Sequence, residues 1–247
     1  MPSHRIHCDL RLGPGAQFAL APEAAQHVAK SLRLKTGDSL TVFDGRGGEY
    51  EAVIQRVERD RVDVKLGPWQ DVDRESTLEI GLVQGLPEAA DKMDWIIQKA
   101  AELGVSWIQP VICERSVVRL AGERAARREA HWRRVAVAAC EQCGRNRIPD
   151  VRPTLGFQSW IAVTSTLRRW MLVRDGSPLA AMSPPQGPLE LLVGPEGGVS
   201  ERERDLAESR RFEPVALGRR VLRTETAPIV AMAAMHALWG DFSKGEN

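Results

Sequence analysis

The sequence predicts a two-part α/β protein, a small domain of antiparallel strands followed by a larger domain whose mostly parallel sheet is covered by helices on both faces. Three observations carry this. From Ser39, "SLTVFDGRGGEYEAVIQRVERDRVDVKL" alternates apolar and polar residues in three runs broken at "DGRGG" and "ERDR", the pattern of short strands and tight turns. "GPWQDVDRES", Gly67 to Ser76, then breaks the alternation with Gly, Pro and charge and reads as a linker. The boundary falls near residue 72, so 1–72 and 73–247 are the expected domains. Beyond it strands alternate with helices, the texture of a parallel sheet.

The second part reads element by element. "TLEIGLVQGL" is a buried strand, and in "DKMDWIIQKAAELG" the residues Met93, Ile96, Ile97, Ala100 and Leu103 recur at helical spacing before Gly104 ends the helix. "VSWIQPVI" returns as a strand, followed by a charged helix over Glu123–Cys143. Strands at "WMLVR" and "LELLVG", a helix from Ser200, a strand at "FEPVALG" and a final helix complete the chain.

Composition narrows the class. With 34 Lys plus Arg against 33 Asp plus Glu, the 247 residues carry a formal charge of +1, so any basic footprint is local. The N-terminus lacks a signal-peptide pattern, and the longest apolar run, Ile229 to Trp239, is short of the roughly 20 residues that span a bilayer. Four cysteines without a regular framework fit a reducing compartment, and the expectation is a soluble cytoplasmic protein with no membrane partner. Cys140 and Cys143 form a C-x-x-C without a second ligand pair; they read as small core residues, and no metal is expected. The seven tryptophans are scattered and lay out no stacking platform.

Two loops stand out. "LLVGPEGGVSERE" joins a strand to a helix through glycines, which let backbone approach a ligand closely. It lacks the lysine of a phosphate-cradling loop, Glu196 would repel phosphate, and Ser200 with Glu203 forms a capping box that consumes the helix-start amides. A ligand without phosphates, or a tight turn that merely connects, are the two readings. In "VALGRRVLRTETAPIVAMAAMHALWGDF", Gly218 ends a strand, arginines crowd the turn, and Thr226 with Pro228 suits a helix start. The helix that follows is apolar nearly all round through Ile229, Val230, Met232, Met235, Leu238 and Trp239, so it is buried in the domain or packs on another subunit.

Positive charge is local as well. From Glu114 to Arg152 there are ten arginines and five acids, an excess of +5 that suits phosphate contact, although a solvated charged face is the usual reading of a helix such as "GERAARREAHWRR".

With "HVAKSLRLKTGD", "DKMDWIIQKAAELGV", "EQCGRNRIP", "LLVGPEGG" and "LGRRVLRTETA" in that order, the chain resembles the RsmE family, small-subunit ribosomal RNA uridine N3-methyltransferases of the SPOUT class. The resemblance implies an N-terminal PUA-like β-barrel for RNA and a C-terminal α/β domain closed by a trefoil knot. It further implies S-adenosylmethionine as cofactor and a homodimer acting on 16S rRNA of the small ribosomal subunit. Cofactor contact carries over to Leu172, Val173, Gly194, Pro195, Gly197, Leu217, Gly218, Leu222 and Thr224. RNA contact carries over to Arg5, His27, Arg33, Lys35, Arg115, Arg145 and Arg147, with His27 equally a hydrogen-bonded core histidine. Glu88, Arg219 and the loose N-terminal "HRIHCDL" depart from the family pattern.

The implied chemistry needs few groups. Methyl transfer from a sulfonium is an in-line displacement that the protein aligns, and N3 of uracil must lose a weakly acidic proton, leaving negative charge on the ring oxygens. Arg223 is the candidate cation; Glu225 and Glu196 are candidate bases, or structural acceptors for loop amides. A SPOUT enzyme acting on a ribose 2′-hydroxyl and a non-catalytic RNA-binding protein are the competing readings.

Overall fold

The computed structural model describes residues 4–242. The chain divides into two compact units, Met1–Glu75 with Cys140–Ile148, and Ser76–Ala139 with Pro149–Asn247.

The first unit is a five-stranded sheet of β1 (Arg5–His7), β2 (Gln17–Ala19), β3 (Ser39–Phe43), β4 (Glu49–Val57) and β5 (Val62–Gln70), in the order β1-β3-β4-β5-β2. β1 runs parallel to β3 and the other pairs are antiparallel. In β4 the buried Tyr50, Ala52 and Ile54 alternate with exposed Glu51, Val53 and Gln55, so the period-two pattern places one face on a core with Ile6, Val28, Leu40, Val42 and Val64. A short helix, α1 (Pro22–Gln26), runs on into one π turn over His27–Ser31.

The first four residues of the expected linker are strand instead: β5 continues through Gly67 and Pro68 to Gln70, pairing Tyr50 with Trp69 and Glu49 with Gln70. Pro68 is tolerated because β2 pairs only with Asp63–Lys65, which leaves the outer side of β5 without a ladder at that point. The Trp69 indole lies where a Gly48 side chain would be, and Gly48 at φ +66 is in the left-handed region.

The second unit contains β6 (Ile80–Gly85), α2 (Ala90–Glu102), β7 (Trp107–Ile112), most of α3 (Gly122–Cys143), β8 (Asp150–Val151), β9 (Leu155–Gly156) and α4 (Phe157–Ile161). There follow β10 (Arg168–Pro178), β11 (Leu189–Val193), α5 (Glu201–Ser209), β12 (Glu213–Ala216) and α6 (Thr226–Trp239). The sheet order is β12-β10-β11-β6-β7-β8, with β9 also on β7, and every pair is parallel. β6 and β11 are buried at every position, as central parallel strands covered on both faces must be. In α2 the stripe Met93, Ile96, Ile97 and Ala100 is buried, and Gly104 at φ +78 closes the helix.

α6 answers the question its composition raised in part. Ala231, Met232, Met235 and His236 are buried, the helix packs against α2 and β11, and Val230 and Leu238 stay 38% and 43% exposed.

The "GRNRIP" segment explains why residues 140–148 belong to the first unit. The Gly47 N–H donates to Asn146 O and the Ile148 N–H donates to Gly45 O. The Asn146 amide donates to Glu49 Oε2 at 3.1 Å, and that same oxygen accepts Arg5 Nη1 at 2.6 Å and Arg74 Nη1 at 3.1 Å. Burial pushes the Glu49 carboxyl up, but the hydrogen bonds from Arg5, Arg74 and Asn146 outweigh it and hold the group below its ordinary 4.5. A depressed pKa in the fold means stabilisation that is complete above the unfolded value and lost as pH falls through the folded one. Glu49→Gln is therefore expected to cost on the order of 3 kcal/mol at neutral pH, by leaving the Arg5 charge poorly compensated, and to flatten the decline of stability below pH 4.5. Urea denaturation of both proteins between pH 3 and pH 7, each on the order of one unit apart, checks this; parallel acid limbs would contradict it.

Candidate functional site

In a parallel sheet all strands finish on one edge, and ligands bind where connections diverge there. The bulged part of β10 and the segments following β11 and β12 line one cavity of about 910 Å³ at that edge. All nine residues expected at the cofactor lie in its walls: Leu172, Val173, Gly194, Pro195, Gly197, Leu217, Gly218, Leu222 and Thr224. Glu196, Arg223, Glu225 and Arg115 line it too.

Each wall has a local cause. Against β12 the register of β10 breaks between Leu172 and Ser177, and Gly176 lets the bulged backbone approach Val215, whose nitrogen would lie 2.5 Å from a Cβ at Gly176. The "GPEGG" segment is a turn closed by the Gly198 N–H on Pro195 O at 2.8 Å, with Gly198 at φ +68. A Cβ at Gly194 would stand 2.7 Å from Val199 N, so only glycine permits the fold-back. Ser200 then caps α5 with both bonds of the predicted capping box formed. Gly218 at φ +102 starts the third segment.

A buried relay ties the walls together. Thr224 Oγ1 donates to Gly194 O at 2.7 Å and accepts from Gln84 Nε2 at 3.1 Å. Arg115 Nη1 braces the glycine turn from outside through Gly197 O at 2.9 Å and Val199 O at 3.3 Å.

The acids divide between two situations. Glu196 accepts the Glu88 N–H on both oxygens at 3.2 Å and Lys92 Nζ on Oε1 at 2.8 Å. Burial pushes its carboxyl up, and the bonds from Lys92 and the backbone hold it below the ordinary 4.5 all the same. Glu225 lies between two cations without a hydrogen bond to either, Oε2 at 3.7 Å from Lys92 and Oε1 at 3.9 Å from Arg223, and its Oε2 is buried with no partner. Arg223, by contrast, is 83% exposed.

Lys92 escaped the sequence reading. A cation in the first turn of a helix opposes the helix dipole, and that misfit was the signal that an acidic partner waits elsewhere. Gln84 was missed because it hides among the apolar residues of β6, and Arg174 and Asp175 because the segment after "WMLV" gives no motif.

The RNA candidates separate as well. His27, Arg33, Lys35 and Arg147 are exposed in the first unit and Arg115 in the second. Arg5 and Arg145 are turned inward, with side chains 10% and 6% exposed. Arg5 is spent on Glu49 and Asn146, and Arg145 on Glu75 through Nε at 3.0 Å and Nη2 at 2.6 Å, so both brace the first unit. Burial pushes the thiols of Cys8, Cys113 and Cys140 up to about 12, which fits inert core residues. Among the described residues no group of three or more His, Cys, Asp or Glu is placed to hold a metal ion.

Comparison with known proteins matches this architecture. Residues 74–236 match the model of an RNA methyltransferase domain and residues 20–67 that of an RNA methyltransferase PUA domain, so the class is that of RNA methyltransferases carrying an appended PUA domain. Ribosomal RNA small subunit methyltransferase E of Bacillus subtilis is 32% identical over 228 residues, covering 88% of this chain and 89% of the relative. The protein of that name from Neisseria gonorrhoeae, solved bound to S-adenosyl methionine, superposes with a TM-score of 0.92 at 38% identity over 97% of this chain and 99% of its own. A methyltransferase of Legionella pneumophila in complex with the same cofactor gives 0.92 at 37% identity over 98% and 100%. The chain belongs to the ribosomal RNA small subunit methyltransferase E family.

The Glu196–Lys92 pair is directly measurable. In Lys92→Met the strongest lowering influence on Glu196 is gone, so its carboxyl is expected to titrate at higher pH than in the wild type, by carbon-13 detected NMR of the side chain. An unchanged titration would show that the backbone bonds alone set it.

Proposed function

We propose that this chain transfers the methyl group of S-adenosylmethionine to N3 of a uridine in 16S rRNA of the small ribosomal subunit. The observation that supports it is the meeting of the β10 bulge with the segments after β11 and β12 on one cavity, in a chain whose relatives bear the name of small-subunit methyltransferase E. The domains are taken as 1–72 and 73–247, an RNA-holding PUA-like barrel and a catalytic domain whose last segment threads a trefoil knot. The enzyme works in the cytoplasm as a homodimer, with the exposed Val230 and Leu238 of α6 covered by a second copy.

The cavity fits the cofactor in size and lining. About 910 Å³ is ample for a nucleoside with an amino-acid tail, Leu172, Val173, Leu217 and Leu222 supply apolar surface, and the turn at Gly194 presents backbone without side-chain obstruction. S-adenosylmethionine supplies an activated methyl on a sulfonium when bound. The remaining work falls to the chain. Leu172, Gly194, Leu217 and Leu222 hold and orient the donor, and the Thr224 relay fixes the walls against one another. Arg223, exposed beside the cavity, stabilises the negative charge that develops on the uracil oxygens as N3 loses its proton. Glu225 is the better-placed proton acceptor, since Oε2 has no hydrogen-bond partner, whereas both oxygens of Glu196 are committed to Glu88 and Lys92. RNA is held by the exposed His27, Arg33, Lys35, Arg115 and Arg147.

Undermodified small subunits incubated with the enzyme and S-adenosylmethionine, then digested to nucleosides, are expected to yield 3-methyluridine. A ribose-methylated nucleoside would redirect the reading to a 2′-hydroxyl target, and no product with no cofactor uptake by calorimetry would refute it. Arg223→Ala is expected to lower turnover by roughly 100-fold or more with cofactor affinity retained, the scale found when one transition-state charge contact is removed. Unchanged turnover removes Arg223 from the mechanism.

A further inference from the structure

Helix α3 carries a second concave feature, separate from the reaction cavity. A hollow of about 570 Å³ is lined by Glu123, Arg124, Arg127, Arg128 and His131. At 3.6 residues per turn, Arg124, Arg127 and His131 leave one side of the helix, about a third of a turn round from the buried Trp132, Ala136 and Ala139, with the half-buried Arg128 between the two sets. Arg134 continues the same row one turn on, and is exposed.

The acids near this row are mostly spent. Glu129 accepts the Thr154 N–H at 2.7 Å, and Asp94 of α2 shares a 2.7 Å hydrogen bond with His131 Nε2. Glu123 pairs with Arg127 at 2.8 Å, with both side chains more than 80% exposed, a solvent-screened contact easily exchanged for another anion. Three guanidinium groups against one carboxylate leave the hollow with a net charge of +2 in a chain whose total is +1.

Its place in the fold gives the charge a use. Asp94, which holds His131, is two residues from Lys92, which lines the reaction cavity. Side chains two apart on a helix leave on roughly opposite sides, so the first turns of α2 separate the hollow from the cavity. An anionic chain lying in the hollow needs to cross only the start of α2 to present a nucleotide to Arg223 and Glu225. Guanidinium forks match phosphate oxygens in pairs, and a concave row of them suits a phosphodiester backbone rather than a single anion.

We propose that the α3 hollow binds backbone phosphates of the RNA substrate and holds the strand beside the reaction cavity. This rests on the RNA methyltransferase reading given above. It assigns to Arg124, Arg127 and Arg128 affinity for RNA without a part in chemistry or cofactor binding.

Anisotropy of a labelled small-subunit rRNA fragment, titrated with protein at several KCl concentrations, tests it. Each lost phosphate contact lowers the steepness of log affinity against log salt by about 0.7 for single-stranded RNA, so the triple variant R124Q/R127Q/R128Q is expected to lose about 2 units of slope. Its KM for undermodified subunits rises roughly 10-fold with kcat and S-adenosylmethionine affinity unchanged, and the corresponding triple lysine variant recovers most of the slope. Arg124→Gln alone, at an exposed position, loses about 0.7 units and serves if the triple variant folds poorly. A slope and KM equal to those of the wild type in these variants overturn the hollow as an RNA contact. Wild-type protein that neither binds the fragment nor methylates subunits overturns the functional reading itself, which keeps the two failures apart.

Discussion

The site depends on one hydroxyl. Thr224 Oγ1 donates to Gly194 O and accepts from Gln84 Nε2, and so joins the segment after β12, the turn after β11 and the strand β6 at one buried point. Parallel strands deliver their loops to a common edge but do nothing to fix those loops relative to one another. A polar contact inside the sheet does. Gln84 is fully buried, and its Oε1 has no partner among the described residues, an arrangement that costs about 1–3 kcal/mol relative to a satisfied amide. Valine would suit β6 better for stability alone, and its neighbours Leu82 and Val83 show that preference. The amide is intelligible as the donor that keeps Thr224 oriented toward Gly194.

A second constraint follows from how closely these backbones approach. Gly85 lies against Pro195, Gly194 against Val199 and Gly176 against Val215, each at distances no Cβ would permit. Three contacts of this kind pack segments from β6, β10, β11 and β12 closely at one end of the sheet. The charges then settle on the cavity rim. Glu196 is anchored by Glu88 N–H and Lys92, which turns an acid in the glycine turn into a bracket between that turn and α2. Lys92 is thereby held near Glu225 without bonding to it, and Glu225 keeps a free oxygen at the wall.

Much of this was legible in the sequence because it is local. The period-two runs of β3 to β5, the helical stripe of α2, the capping box at Ser200 and the strand-turn-helix of "LLVGPEGG" each depend on residues within a few positions of one another. What escaped is non-local. Nothing in "GRNRIP" announces that Asn146 will share Glu49 with Arg5, about a hundred residues and more away, so the inward turn of Arg5 and Arg145 could not be read from their charge. β1 and β2 are three residues each, too short for periodicity, and β1 pairs in parallel with a strand over thirty residues later. Pro68 signalled a break, yet it occupies the unpaired side of β5, where its missing N–H costs nothing.

The near-zero net charge now takes on a different meaning. Arginines in this chain fall into two populations that composition cannot separate. Arg5, Arg145 and Arg169 are buried against Glu49, Glu75 and Glu190, and these pairs cancel within the fold. Arg124, Arg134, Arg147 and Arg223 are exposed, where an anionic partner can reach them directly. A total of +1 is compatible with positive surfaces because charge is unevenly placed: the three buried pairs remove equal numbers of each sign, and the acids that offset the exposed arginines lie on other parts of the chain. Neutrality here is a property of the whole chain and not of the faces it presents to RNA.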